Sequence, residues 1–208
     1  MRKIAMGLFL MFATVGLAKA DFGLFVGLGF GLSGDLSVTA PGPANGAGVE
    51  VGGVKIGAFY ESATIAQSLG LGEKSFMGTK IAYTKQDSQI FLTGFPGSQT
   101  GIEMGAYTIP LTVYYGYNLT EKVKLKGGLG LTFATAQITT WLAGMKMSGT
   151  DMKIAPHLEA GIEYVLGKVV GIQLDFSYLM GGDWGNNGMI KMDLSGLYIG
   201  GAVNFRIF

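Results

Sequence analysis

From Phe22 to Leu32 every second residue is large and apolar: Phe22, Leu24, Val26, Leu28, Phe30 and Leu32. The residues between them, Gly23, Phe25, Gly27, Gly29, Gly31 and Ser33, are mostly small. A period of two puts the two sets on opposite faces of a β-strand, whereas a helix would scatter both around its circumference. The alternation constrains the fold more than any motif does, because it returns along the chain. Val54, Ile56, Ala58 and Tyr60 alternate with Gly53, Lys55, Gly57 and Phe59, and Met77, Ile81 and Tyr83 with Gly78, Lys80 and Ala82. In YTIPLTVYYGYNL the odd-numbered set from Tyr107 to Leu119 is apolar, against Thr108, Pro110, Thr112, Tyr114, Gly116 and Asn118. Three later segments, starting near Val123, Met152 and Val170, and a last one from Leu197 to Ile207 repeat the pattern. There are roughly eight such segments, each near or above the ~9–11 residues a tilted strand needs to cross a bilayer. An even count suits a closed antiparallel barrel with both termini on one side.

A different reading of the first segment fails on context. GFGLSG, Gly29 to Gly34, satisfies the G-x-G-x-x-G nucleotide fingerprint, and Glu50 stands where a ribose-binding acid would be expected. That loop must open a helix. Here SGDLSVTAPGPANGAG follows, with Pro41 and Pro43, which is turn and loop chemistry. The glycines are the small-residue face of a strand.

The first twenty residues read as a secretory signal. Arg2 and Lys3 give a positive start, Ile4 to Leu17 a short apolar run, and Ala18-Lys19-Ala20 a small-x-small cleavage site. The expected organisation is a signal peptide over 1–20 and one barrel domain over 21–208. The formal net charge of +1 gives no reason to expect a nucleic-acid partner. The chain has no cysteine, which excludes disulfides, an acylated cysteine anchor, thiolate metal sites and cysteine nucleophiles.

The apolar faces could meet lipid or a protein core, and the opposite faces decide between these. A water-soluble barrel fills its centre with apolar side chains and carries dense charge outside. Here the second faces carry glycine, alanine, serine and threonine with sparse charges, which suits a narrow enclosed centre. Tyr60, Tyr83, Tyr107, Tyr115, Tyr117, Tyr164 and Tyr178 fall on the apolar faces, several near strand ends, where an interfacial girdle belongs. The fold expected is therefore an all-β, eight-stranded, antiparallel up-and-down transmembrane barrel. Its first and last strands must pair, because unpaired edge amides are costly in hydrocarbon. Its partner along the outside is outer-membrane lipid.

The inner faces then hold Lys55, Lys80, Lys124, Lys126, Lys153, His157, Glu159, Glu163, Gln173, Asp175 and Arg206. Enclosed charges need partners, so an internal network of salt bridges and hydrogen bonds is expected. We read it as a plug that holds the barrel shut, with a gated polar path or a binding site as the alternative. Connectors alternate as well. NLTEK (118–122) and Gly167-Lys168 are short, while the links around 39–48, 86–103, 141–151 and 181–195 are longer and polar. That asymmetry is expected of short periplasmic turns and four longer external loops. The link at 62–74 breaks the scheme, and SATIAQSLG within it has room for a short helical turn.

YTIPLTVYYGY with a short turn, then KLKGGLGL, HLEAGIEYVLG, VVGIQLDFSYLMG and a final GGAVNFRIF together resemble the outer-membrane β-barrel domain family. That family includes the outer-membrane protein A barrel, outer-membrane protein X and, more distantly, outer-membrane protein W. The resemblance implies a bacterial outer-membrane location. It also implies recognition of a terminal aromatic, here Phe208, by the barrel assembly machinery. Arg206 departs from the pattern, standing two before the end where the family usually has a large apolar residue.

Little points to catalysis. His157 is the only histidine, and without cysteine a metal site would need an unusual carboxylate set. Ser177 or Ser195 could be imagined as a nucleophile with His157, but no G-x-S-x-G elbow supports either. Asn118-Leu119-Thr120 spells a glycosylation acceptor within a turn, and Trp141 and Trp184 stand where membrane-rim anchors would, with contact to a partner as the alternative. No cofactor, metal or catalytic residue is expected. The function expected is non-enzymatic: structural, or surface interaction through the loops with an extracellular ligand. A narrow channel for small, possibly hydrophobic molecules is the alternative, and an outer-membrane lipid hydrolase a more remote one.

Overall fold

The computed structural model describes residues 20–31, 35–38, 52–91, 101–142, 145–181, 183–184, 190–193 and 195–207. Eleven strands run through them: β1 (Ala20–Gly31), β2 (Asp35–Val38), β3 (Gly52–Ser62), β4 (Ser75–Phe91), β5 (Gly101–Asn118), β6 (Val123–Leu142), β7 (Met145–Val165), β8 (Val170–Leu179), β9 (Asp183–Trp184), β10 (Ile190–Asp193) and β11 (Gly196–Arg206). Among the described residues there is one helix, α1 (Ala63–Ser68). Eight strands close into a barrel in the order β1-β11-β8-β7-β6-β5-β4-β3, which is sequence order around the ring. Every neighbouring pair is antiparallel. Closure is made by β1, which pairs with β3 on one side and β11 on the other. No barrel edge is then left unpaired at membrane level, as hydrocarbon requires. β2, β10 and β9 form a separate three-stranded sheet.

The alternation in sequence becomes an alternation of environment. Leu24, Val26, Leu28, Ile56, Leu111, Leu129 and Ile154 point outward, and Leu129 and Met152 keep 66% and 76% of their surface exposed. Their neighbours Phe25, Thr112, Thr132, Glu163 and Asn204 are buried inside. Glycines supply the room. Gly23 lies opposite both Phe59 and Arg206, and a Cβ there would come within 2.6 Å of Phe59 Cε1. Gly130 lies opposite His157, and its Cβ would stand 2.7 Å from the imidazole Cε1.

One end of the barrel, the turn end, collects the first described residue, the last strand's end and the links β3–β4, β5–β6 and β7–β8. The other, the loop end, collects the remaining links. Tyr115, Tyr117 and Tyr164 are outward and exposed near the turn end, and Tyr83, Tyr107 and Tyr178 toward the loop end. Tyr83 and Tyr107 stack with centroids 6.2 Å apart. Two aromatic levels of this kind suit two lipid–water interfaces.

Two details differ from the expectations drawn from sequence, and one agrees with them. Much of the links expected around 86–103 and 141–151 is strand: β4 continues to Phe91, β5 begins at Gly101, with 92–100 outside the described residues, and β6 and β7 are separated only by residues 143–144. The reason is that apolar alternation is needed only across hydrocarbon. Above it, polar residues pair just as well in water, so these strands run on to 17–21 residues, past the part marked by apolar alternation. As expected, the long 62–74 link holds a short helix, α1, capped by Ser62, whose Oγ accepts from the Ile65 amide at 3.4 Å. The β-ladder reaches Ala20, which pairs with Ser62. The expected signal residues 1–19 and the terminal Phe208 lie outside the described residues.

Candidate functional site

The inward faces of seven of the eight barrel strands deliver charges to the centre at successive heights, and β5 contributes Thr112 and Tyr114. Nearest the turn end, Lys124 Nζ lies 2.7 Å from Glu61 Oε2 and 3.9 Å from Asp21, with the Phe76 ring 4.9 Å beneath its ammonium. Arg206 pairs with Glu163 and reaches Asp21 at 3.8 Å. One level in, Lys126 bridges two carboxylates, Glu61 at 2.5 Å and Glu163 at 2.8 Å. The Tyr114 hydroxyl donates to Glu61 at 3.1 Å. Lys126 also sits over the Phe59 and Tyr114 rings, 5.4 and 5.3 Å from their centroids. Glu163 is wholly buried.

Above this, Lys126 donates to Gln173 Oε1 at 3.2 Å and Asn204 donates to the same oxygen at 2.8 Å. Gln173 in turn donates to Asp175. Lys80 pairs with Glu159 and lies 3.5 Å from Asp175. Lys55 reaches Asp175 at 3.6 Å. His157 is held on both nitrogens, by Thr112 at Nε2 and Thr132 at Nδ1, each at 2.9 Å. Thr112 also lies 3.3 Å from Glu159.

Of the residues singled out in sequence, Lys55, Lys80, Lys124, Lys126, His157, Glu159, Glu163, Gln173, Asp175 and Arg206 meet in this column. Lys153 does not. It stands higher on β7, half-exposed, 3.9 Å from Asp151. Arg206 faces inward to Glu163, which accounts for its departure from the apolar residue common at that position. The sequence reading missed Glu61, which anchors two lysines. Its signal was available: it shares the phase of Lys55 and Phe59 on β3. It also undervalued Phe25, Phe59, Phe76 and Tyr114 as interior aromatics beneath the ammonium groups.

Toward the loop end the column stops, and the lumen opens into a cup of about 80 Å³. Lys55, His157, Glu159 and Asp175 form its floor, and Thr84, Thr108, Thr132, Ser177 and Tyr198 bring hydroxyls to its wall. All eight barrel strands contribute to the lining. Ser177 shares the cup with His157, yet both imidazole nitrogens already face threonines. Ser195 is not part of the lining.

The model of a family described as outer membrane protein beta-barrel domain matches residues 5–205. In structure, the attachment invasion locus protein Ail of Yersinia pestis aligns with a TM-score of 0.51 at 13% identity, covering 91% of this chain and 99% of that one. The outer membrane protein OprG of Pseudomonas aeruginosa aligns with a TM-score of 0.53 at 13% identity, covering 91% and 96%. At such identity these likenesses concern the fold alone. No curated protein matches the chain in sequence.

Proposed function

The chain belongs to the outer membrane protein beta-barrel domain family and resides in the bacterial outer membrane, and from that premise we propose that it is a closed, non-enzymatic barrel that works through its exposed end. One observation carries the reading: the column from Asp21 and Arg206 up to Glu159 and Lys55 fills the turn-end half of the lumen with mutually paired charges and aromatic rings. In this orientation the turn end faces the periplasm and the loop end faces outward, as short turns and long connections do in such barrels. The tall β4–β7 wall then stands clear of the bilayer as a surface for contact with other molecules. Segments beyond the membrane are free of the demand for an apolar face and can carry binding residues.

A channel reading draws on the cup but meets the plugged floor. A hydrolase reading draws on Ser177 and His157 lining one cup. It lacks the nucleophile–base hydrogen bond such chemistry uses, since threonines occupy both imidazole nitrogens. Liposome swelling with the purified protein tests the proposal. Uptake of small sugars and amino acids no faster than in protein-free liposomes supports it, and size-dependent uptake overturns it.

A further inference from the structure

The floor of the cup holds one cation whose hydrogen-bonding capacity the described residues leave unfilled. Lys80, Lys124, Lys126 and Arg206 each reach two carboxylates. Among the described residues Lys55 has one carboxylate, Asp175 at 3.6 Å, at the outer edge of hydrogen-bonding distance, and the Phe25 ring 5.8 Å from its ammonium. Its side chain is 14% exposed, and it lines the cup. An ammonium has three protons to give. The neighbouring carboxylates are already shared with other donors. Glu159 is engaged by Lys80 and Thr112, and Asp175 by Gln173 and Lys80.

The missing partner is an acceptor, and the local charge says of what kind. Lys55 and Lys80 face Glu159 and Asp175, so the floor is balanced and offers no net attraction to a free ion. The wall is hydroxyl-rich, with Thr84, Thr108 and Ser177 able both to give and to accept. Gly29, Gly200 and Pro110 add surface without charge for C–H groups. We propose that the cup is a binding site for the neighbouring hydroxyls of a neutral polyol, with Lys55 as the donor that orients it. The cup is about half the ~150 Å³ that encloses a benzene ring, so it takes the tip of a ligand, and the remainder extends toward the outside. The hydroxyl-bearing edge of a terminal sugar unit has that shape and chemistry. The proposal rests on the closed-floor reading for the cup's dead end.

The test uses the purified full chain in nanodiscs, free of sugar-headed detergents that would compete. Methyl α-glucoside and glycerol are titrated while backbone amide shifts of Thr84, Ser177 and Gly200 are followed by NMR, with sodium acetate as the anionic probe. The expected result is saturable shifts with the glucoside and weaker ones with acetate. Lys55→Met is expected to weaken glucoside binding about tenfold or more, the loss appropriate to one hydrogen bond to a charged group. Ser177→Ala, a smaller change, is expected to weaken it less and gives the answer should Lys55→Met fail to fold. Linear, non-saturating shifts would overturn the proposal, as would preference for acetate, or full glucoside affinity in folded Lys55→Met and in Ser177→Ala. Liposome uptake reports on the floor independently, so a leaking barrel that still binds the glucoside contradicts closure and not the cup.

Discussion

At the scale of single residues, the interior is governed by the difference between a pair and half a pair. Removing one member of a buried ion pair leaves a charge without compensation, at a cost of about 3–5 kcal/mol. Glu163 holds both Lys126 and Arg206, so Glu163→Gln is expected to lose about that much, read as a lower urea midpoint for folding into lipid vesicles. Lys153→Ala, at a half-exposed pair of 3.9 Å, is expected to change the same midpoint by less than about 1 kcal/mol. Most of these residues were legible from the phase of their strands, since a charge on a non-lipid face has only the lumen to enter. Which lysine meets which carboxylate was not legible. Pairing across the lumen depends on stagger between strands far apart in sequence, as Lys80 and Glu159 or Lys126 and Glu61 illustrate. Glu61 was overlooked because it sits at the end of its strand, beside a link whose conformation the alternation does not encode.

At the scale of the strand, the outward face answers to lipid. Leu129 lies near the middle of the crossing part of β6 and is fully outward, opposite Val113 and Leu158. Leu129→Arg is expected to destabilise folding by about 2–4 kcal/mol, the cost of a cation near the bilayer midplane, again as a shift in urea midpoint. The same substitution at Met152, above it on β7, is expected to cost less than at Leu129. Equal costs at the two depths would contradict the placement of the bilayer. At the turn end, Ser62→Ala removes the cap of α1 and is expected to cost about 0.5–2 kcal/mol. The crossing segments were readable because hydrocarbon enforces a period of two. The upper halves of β4 to β7 were not, because water accepts polar side chains on both faces and erases the period.

At the scale of the molecule, β1 meeting β11 turns a row of two-faced strands into a cylinder with lipid outside and a charged column within. Heat-modifiable migration on a gel is the expected sign of that closure: a faster band unboiled, a slower one after boiling. The alternation made the cylinder legible, but not the depth at which its centre changes from packed charge to open cup. That depth depends on where aromatic rings such as Phe25 and Phe59 give way to the smaller hydroxyl and glycine positions that line the cup, such as Gly29, Thr84, Thr132 and Ser177. Single-channel recording in planar bilayers tests the packed half most directly. No steady conductance steps are expected from the native protein. Steady, ohmic steps from native barrels, scaling with the amount of protein reconstituted, would contradict a closed lumen.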